Sequence, residues 1–514
     1  MRLAAEERNG TGHGASLGSM QIRQFRVEGL GHLSTLIADE SAGVAAVVDP
    51  RRDMDVYLAA ARELDVRISH VVETHLHNDY VSGGRDLATL TGARHVIGAG
   101  AELRHEHGPV RDGESFDVGS LRFTTRDTPG HTPEHVAYAV AETARGQDPA
   151  LLFSGGSLLV GAVGRTDLLG QEHAHEYARA MHRSIRDVVM GHEDHVIVHP
   201  THGAGSLCAV GIASTPSTTI GYERRHNPLV SIADVEVFAK RLLRGQPAVP
   251  RYFARMRPLN QAGPPLLGGR VPEPRPLSLA ETQGELATGA LLLDLRPPAD
   301  HSVVHAAGSQ SVPLGPSFGT WLGWVVDPDR PLVLVLERPQ DWDEAIRQAL
   351  RIGAEGSIRG HLRGGFGSWA DGGAPLESTG RLNVDELADR LDHASAADRP
   401  LVIDVRQASE YEAFHVPGSI HIAAGSLPDR LAELSQNQPV VTICAAGLRA
   451  GVAASILRSS GFEDVSWVAS GVPAWRAAGH PTVRGDQPTR TPASPRSHGG
   501  PSAAPEPESG ATAD

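Results

Sequence analysis

Thr74-His75-Leu76-His77-Asn78-Asp79 is the stretch that decides the first fold of this chain. It follows Ile68 to Val72, an apolar run of strand length. On a loop leaving such a strand, two histidines at i and i+2 and an aspartate at i+4 can aim ligand atoms at one point. Imidazole nitrogen and carboxylate oxygen are donors for Zn²⁺ or Fe²⁺. The chain has 26 His, so a single histidine carries little. The run is joined, however, by His131 in Thr128-Pro129-Gly130-His131-Thr132 and by His202 in Pro200-Thr201-His202-Gly203. Each of these lies in a glycine-containing loop after a strand-like run. His75, His77, Asp79, His131 and His202 are the candidate metal ligands.

At 514 residues the chain is too long for one core and predicts roughly three or four domains. A hydrophobic content of 40% suits ordinary globular domains, and a net charge of −14 argues against nucleic acid or an anionic membrane as partner. No apolar run reaches the roughly 18 residues of a membrane span, and Met1 to Gly14 has no signal-peptide core. The expected location is the cytoplasm, and Met20 is an alternative start. The composition leaves homo-oligomerisation open. Two cysteines, Cys208 and Cys444, exclude a disulfide framework.

The second half repeats itself. Leu291-Leu-Leu-Asp294-Leu295-Arg296 recurs as Leu401-Val-Ile-Asp404-Val405-Arg406, His305-Ala-Ala-Gly308-Ser309 as His415-Val-Pro-Gly418-Ser419, and Gly365-Phe-Gly-Ser-Trp369 as Gly471-Val-Pro-Ala-Trp475. Three blocks in one order mark a tandem duplication. Short apolar strands alternating with helical patterns point to a helix-covered parallel sheet in each copy. In the second copy, strand Val440 to Ile443 runs into Cys444-Ala445-Ala446-Gly447-Leu448-Arg449 and then a helical run. A cysteine there faces converging N–H groups and the positive end of a helix, which favours a thiolate or a persulfide anion. Gly447 permits the curl and Arg449 adds a cation. The first copy has Leu332 to Leu336 followed by Glu337-Arg338-Pro339 and no cysteine, and should be inert. Cys208 lies beyond a Gly-rich turn from His202 and is a second candidate catalytic thiol.

His-x-His-x-Asp, then Gly-His, then a late His resembles the metallo-β-lactamase superfamily over about Gln21 to Gly211. The resemblance implies a four-layer αβ/βα sandwich with metal at the strand ends. Two positions depart from the family pattern: Tyr80 replaces a histidine, and Gly156, in Phe153-Ser154-Gly155-Gly156, replaces the metal-bridging aspartate. One metal is therefore expected rather than two, held by His75, His131 and His77 or Asp79. Cys444 to Arg449 resembles the rhodanese active-site loop, and the Asp-Val-Arg and His-x-Pro-Gly-Ser blocks resemble other rhodanese signatures. Gly164-Arg-Thr-Asp167 and Pro200 to Cys208 bring the whole closest to bacterial metallo-β-lactamase/rhodanese fusions related to persulfide dioxygenases. The division expected is a disordered lead-in 1–20, a metallo-β-lactamase-fold domain 21–225, a wrapping linker 226–272, a degenerate rhodanese-like domain 273–376, a catalytic rhodanese domain 379–484 and a disordered tail 485–514.

The resemblance implies oxidation of a low-molecular-weight persulfide by O₂ to sulfite at mononuclear Fe²⁺, with Zn²⁺ the alternative metal, in hydrogen sulfide detoxification. Sulfane sulfur would move through a Cys444 persulfide. Two other readings stand beside it: a sulfur carrier with an altered metal domain, and a glyoxalase-type thioester hydrolase.

Overall fold

The computed structural model describes residues 16–17, 20–395 and 398–485. The expected lead-in and tail fall almost wholly outside them. Two sheets form the first domain. One has seven strands in chain order, including Met20–Val27, His32–Asp39, Val44–Val48, Arg67–Glu73 and Arg94–Gly98. The other has six, among them Leu121–Asp127, Val136–Glu142, Leu151–Gly155 and Ile197–Pro200. Ile22, Val48, Val72 and Val96 of the first pack on Phe123, Tyr138 and Phe153 of the second. Strands such as Val44–Val48 are apolar throughout because helices cover their outer faces. Helix Asp55–Glu63 buries Tyr57 and Ala61 on the first sheet, and helix Gln171–Arg183 buries Ala178 and Met181 on the second. The result is the αβ/βα sandwich.

The segment expected as a linker divides into two. Helix Val235–Leu243 joins the outer layer of the sandwich through Phe238, Ala239 and Leu242. Helix Phe253–Ala262 packs over the His77–Tyr80 loop. The Asn260 side chain donates to the carbonyls of His77 and Tyr80 (2.9 Å each), and the Tyr252 hydroxyl donates to the Asp79 carbonyl (2.9 Å).

Each copy in the second half is a five-stranded parallel sheet, and the strand order is the same in both: Pro276–Leu277, Ile358–Leu362, Leu332–Val335, Leu291–Asp294, Gln310–Ser311 and Gly380–Leu382, Val465–Val468, Val440–Ile443, Leu401–Asp404, Ile420–His421. The repeated blocks have structural causes. Asp294 holds Arg296 as Asp404 holds Arg406, and those arginines donate to the carbonyls of Val304 and Phe414. One apolar cluster then joins all parts: Tyr80 and Val81 of the sandwich, Tyr252 and Met256 of the strap helix, Trp324 and Ile346 of the first copy, Ile403 and Trp467 of the second.

Candidate active sites

His75 stands at the end of strand Arg67–Glu73, His131 after Leu121–Asp127 and His202 after Ile197–Pro200, so both sheets deliver them to one edge. Each offers a ligand atom, and these atoms lie within 4.8 Å of one another; Asp79, His202 and Cys208 form a second, overlapping group within the same limit. All five side chains are buried. Among the described residues, Nε2 of His75 and Nε2 of His131 have no hydrogen-bond partner, and the ring nitrogens of His202 and the Asp79 oxygens have none beyond their own approach to 3.2 Å. Buried polar atoms in this state are costly, and a cation among them removes the cost, so the residues present fit a metal.

The ring orientations suit that purpose. The Thr74 hydroxyl donates to Asp49 Oδ2 (2.9 Å) and so accepts from Nδ1 of His75 (2.8 Å), leaving Nε2 with its lone pair toward the cluster. Nδ1 of His131 donates to the Arg165 carbonyl (2.8 Å), with the same result. Burial, reinforced by the neighbouring imidazoles, pushes His75 far below the ordinary histidine range and His131 down to about 3. Both rings are neutral, the form that binds metal. Burial opposes ionisation of Asp79, but His202 beside it holds its carboxyl far below the usual range. Burial, with Asp79 adding to it, pushes the Cys208 thiol up.

The trio differs from the one expected. His77 lies outside it: its Nε2 is 3.4 Å from Asp49 Oδ1, and its ring stacks on Tyr80 at 4.4 Å. Tyr80 fills the neighbouring space, fully buried against His32, with its hydroxyl on the Asp49 carbonyl. At Gly156 a Cβ would run into the His131 ring, while the backbone N–H donates to Nε2 of His135 (2.8 Å). No side chain fits there as His131 now stands, and His202 is the third imidazole the fold brings to the group. Sequence reasoning missed Asp49, which gathers Thr74, Thr201 and His77, and His135, which holds the Gly156 backbone. The signal for Asp49 was a carboxylate directly ending the apolar strand Val44–Val48.

Arg165 explains the Gly-Arg-Thr-Asp run. Its guanidinium is clamped by Asp167 (2.6 and 2.8 Å) and donates to the carbonyls of Leu207 and Pro247 (3.0 Å each). Its backbone N–H donates to the Cys208 carbonyl (2.7 Å) while its own carbonyl orients His131. One residue therefore ties the Cys208 loop to the His131 imidazole.

Cys444 follows strand Val440–Ile443 and precedes helix Leu448–Ser459. The Gly447 N–H donates to Sγ (3.1 Å), from a residue at φ +93° whose Cβ would strike the Ala469 carbonyl. Cys444 is 1% exposed and lines a cavity of about 350 Å³. Arg449 borders the same cavity, but its guanidinium is bound by both Glu410 oxygens (2.6 and 2.9 Å), so the cation expected for an anionic donor is already neutralised. Ladder register sets the first copy against this one. Leu295 N–H bonds to the Val335 carbonyl as Val405 N–H does to that of Ile443, so Leu336, not Glu337, stands where Cys444 does.

Known proteins resemble different parts of this chain. The model of the rhodanese-like domain matches residues 383–478, inside the second copy. Hydroxyacylglutathione hydrolase of Methylococcus capsulatus is 30% identical over 244 residues, covering 43% of this chain and 91% of that protein. The mitochondrial persulfide dioxygenase ETHE1 of Homo sapiens is 28% identical over 213 residues, covering 40% and 73%. The crystal structure of a metallo-β-lactamase from Staphylococcus aureus subsp. aureus COL superposes with a TM-score of 0.61 at 29% identity, over 67% of this chain and 99% of that one.

Proposed function

The chain belongs to the metallo-β-lactamase/rhodanese fusion proteins related to persulfide dioxygenases, and from that premise we propose that it oxidises a low-molecular-weight persulfide at one metal ion and moves sulfane sulfur through Cys444. The observation that carries this reading is the buried convergence of unpartnered nitrogens on His75, His131 and His202, with the Cys208 thiol beside them. Fe²⁺ held by those three imidazoles would supply the O₂ chemistry when bound. Asp49, Thr74 and Arg165 fix the ring orientations so that the ligands need no rearrangement. Tyr80 and helix Phe253–Ala262 seal the site from water on the Asp79 side. Cys208 would hold the terminal sulfur of a persulfide or, once deprotonated, receive it.

At the second site the Gly447 N–H and the N-terminus of helix Leu448–Ser459 stabilise negative charge on Cys444 Sγ or on a sulfur bonded to it. A cytoplasmic setting, persulfide and O₂ as small-molecule partners and a role in hydrogen sulfide detoxification go with this reading. The test is to load anaerobically purified chain with Fe²⁺ and measure O₂ uptake and sulfite release on an organic thiol persulfide. Uptake that His131→Ala abolishes together with metal retention, and that Cys444→Ser leaves in place, is the expected result.

Gly156 favours one second reading, a sulfur carrier with an altered metal domain, because it leaves the trio without the family's carboxylate. Metal-loaded chain that transfers sulfur through Cys444 yet consumes no O₂ would establish that reading instead. Thioester hydrolysis of the glyoxalase type suits the site less, because Tyr80 and Gly156 remove ligands that a two-metal clamp uses.

A further inference from the structure

The cavity at Cys444 is not built by the second copy alone. Trp321 and Trp324, from helix Phe318–Val325 of the first copy, line it together with Gln407, Ala445, Ala446 and Leu448. The two indoles stack, with centroids 5.5 Å apart and planes 24° from parallel. Trp324 crosses into the second copy because residue 425 is glycine: a Cβ there would coincide with the indole Nε1. Among the described residues that line the cavity one is a cation, Arg449, and Glu410 holds it bidentately.

We propose that Trp321 and Trp324 determine the specificity of the Cys444 site, selecting an organic persulfide with an apolar body over a compact inorganic dianion such as thiosulfate. This rests on the sulfurtransferase reading of Cys444. Aromatic faces reward an apolar or polarisable body with stacking and sulfur–aromatic contact. A dianion must instead give up hydration against indole and alanine, with the neutral Gln407 amide and a guanidinium already ion-paired to Glu410 in return. In the step itself the Cys444 thiolate attacks the terminal sulfur of R–S–SH. The donor S–S bond breaks and its electron pair leaves with RS⁻. The proton stays on the transferred sulfur, which gives Cys444–S–SH.

The experiment loads full-length protein with either benzyl persulfide or thiosulfate, quenches it rapidly and follows Cys444 persulfide by peptide mass spectrometry. Wild type should prefer the benzyl donor, by kcat/KM of loading, by about tenfold or more, the factor that one good aromatic contact supplies. Trp321→Ala and Trp324→Ala should erase most of that ratio through KM, and Trp324→Phe should retain it. Gly425→Ala, which expels the indole without altering a cavity residue, should reproduce the Trp324→Ala result. Glu410→Gln, by freeing Arg449, should raise loading from thiosulfate. If both donors load Cys444 and these variants leave the ratio unmoved, or if wild type prefers thiosulfate, the specificity assignment is overturned while the transferase reading stands. If neither donor loads Cys444, both fall together.

Discussion

The two copies of the rhodanese-like unit share a strand order, an Asp–Arg pair and a glycine pressed against the carbonyl that follows the third strand of the sheet. Gly365 meets the carbonyl of Leu336 as Gly471 meets that of Cys444. They part at the loop. Leu336 takes the place of the thiol, and three residues on, where Gly447 donates its N–H to sulfur, the first copy has Pro339, which has no N–H to give. The features that shape the fold stand in both copies, and the cysteine with its N–H donor stands in one. The first copy makes contacts elsewhere in the molecule. Its helix Asp341–Arg351, counterpart of the helix behind Cys444, grips the metal domain through Arg351 and Asp53, and its helix Phe318–Val325 walls the partner's cavity.

The largest effect that would break this comparison is complete. Cys444→Ser should abolish sulfane-sulfur transfer with an unchanged circular dichroism spectrum, and Leu336→Cys should not restore transfer in that background. Measurable transfer by Cys444→Ser/Leu336→Cys, without a change at Pro339, would show that the missing N–H does not matter.

Next comes the grip on the metal domain. Arg351 donates to both Asp53 oxygens (3.0 and 2.6 Å) in a buried pair. Arg351→Met leaves the buried Asp53 carboxylate with Arg51 alone (3.3 Å) and should cost about 1.5–3 kcal/mol in chemical denaturation, the range for a lost hydrogen bond to a charged group. The pair also predicts a pH dependence. Burial would raise the Asp53 carboxyl, but Arg351 and Arg51 outweigh it and hold it below the ordinary value. A depressed carboxylate stabilises fully above its unfolded value of about 4 and loses that contribution as pH falls through the folded value. Thermal stability should therefore stay level from neutral pH to about 5 and drop below about 4. The drop should be steeper in wild type than in Arg351→Met; parallel curves would remove Asp53 as its source.

Gly156→Ala tests the metal trio. Its methyl has no room beside His131, so a loss of roughly 1–3 kcal/mol and weaker metal retention are expected. Full metal content at wild-type stability would mean that the His131 ring shifts freely. The smallest effect is at the junction of the copies, where the Ser311 N–H donates to Ser455 Oγ (2.9 Å). Ser455→Ala should cost about 1 kcal/mol, read from the denaturant midpoint.

Much of this was legible along the chain. Apolar runs announced the strands Val440–Ile443 and Arg67–Glu73, repeated blocks announced the duplication, and glycine beside cysteine announced the loop that curls onto Sγ. Each is a statement about near neighbours in sequence, where period, turn chemistry and local spacing decide the geometry. The membership of the metal trio was not of that kind. His77 is two residues from His75, yet it turns to Asp49, while His202 arrives from the other sheet because Leu33 and Gly203 bond across to Thr201 and Gly31. Which histidine completes the site depends on how two sheets register face to face, and no local spacing encodes that. The same holds for the pairing of Arg449 with Glu410, of Arg351 with Asp53, and for the crossing of Trp324 over Gly425. The sequence by itself determined the parts and the residue types at each site. The tertiary structure alone decided which side chains meet, because those meetings are fixed by close packing between elements far apart in the chain.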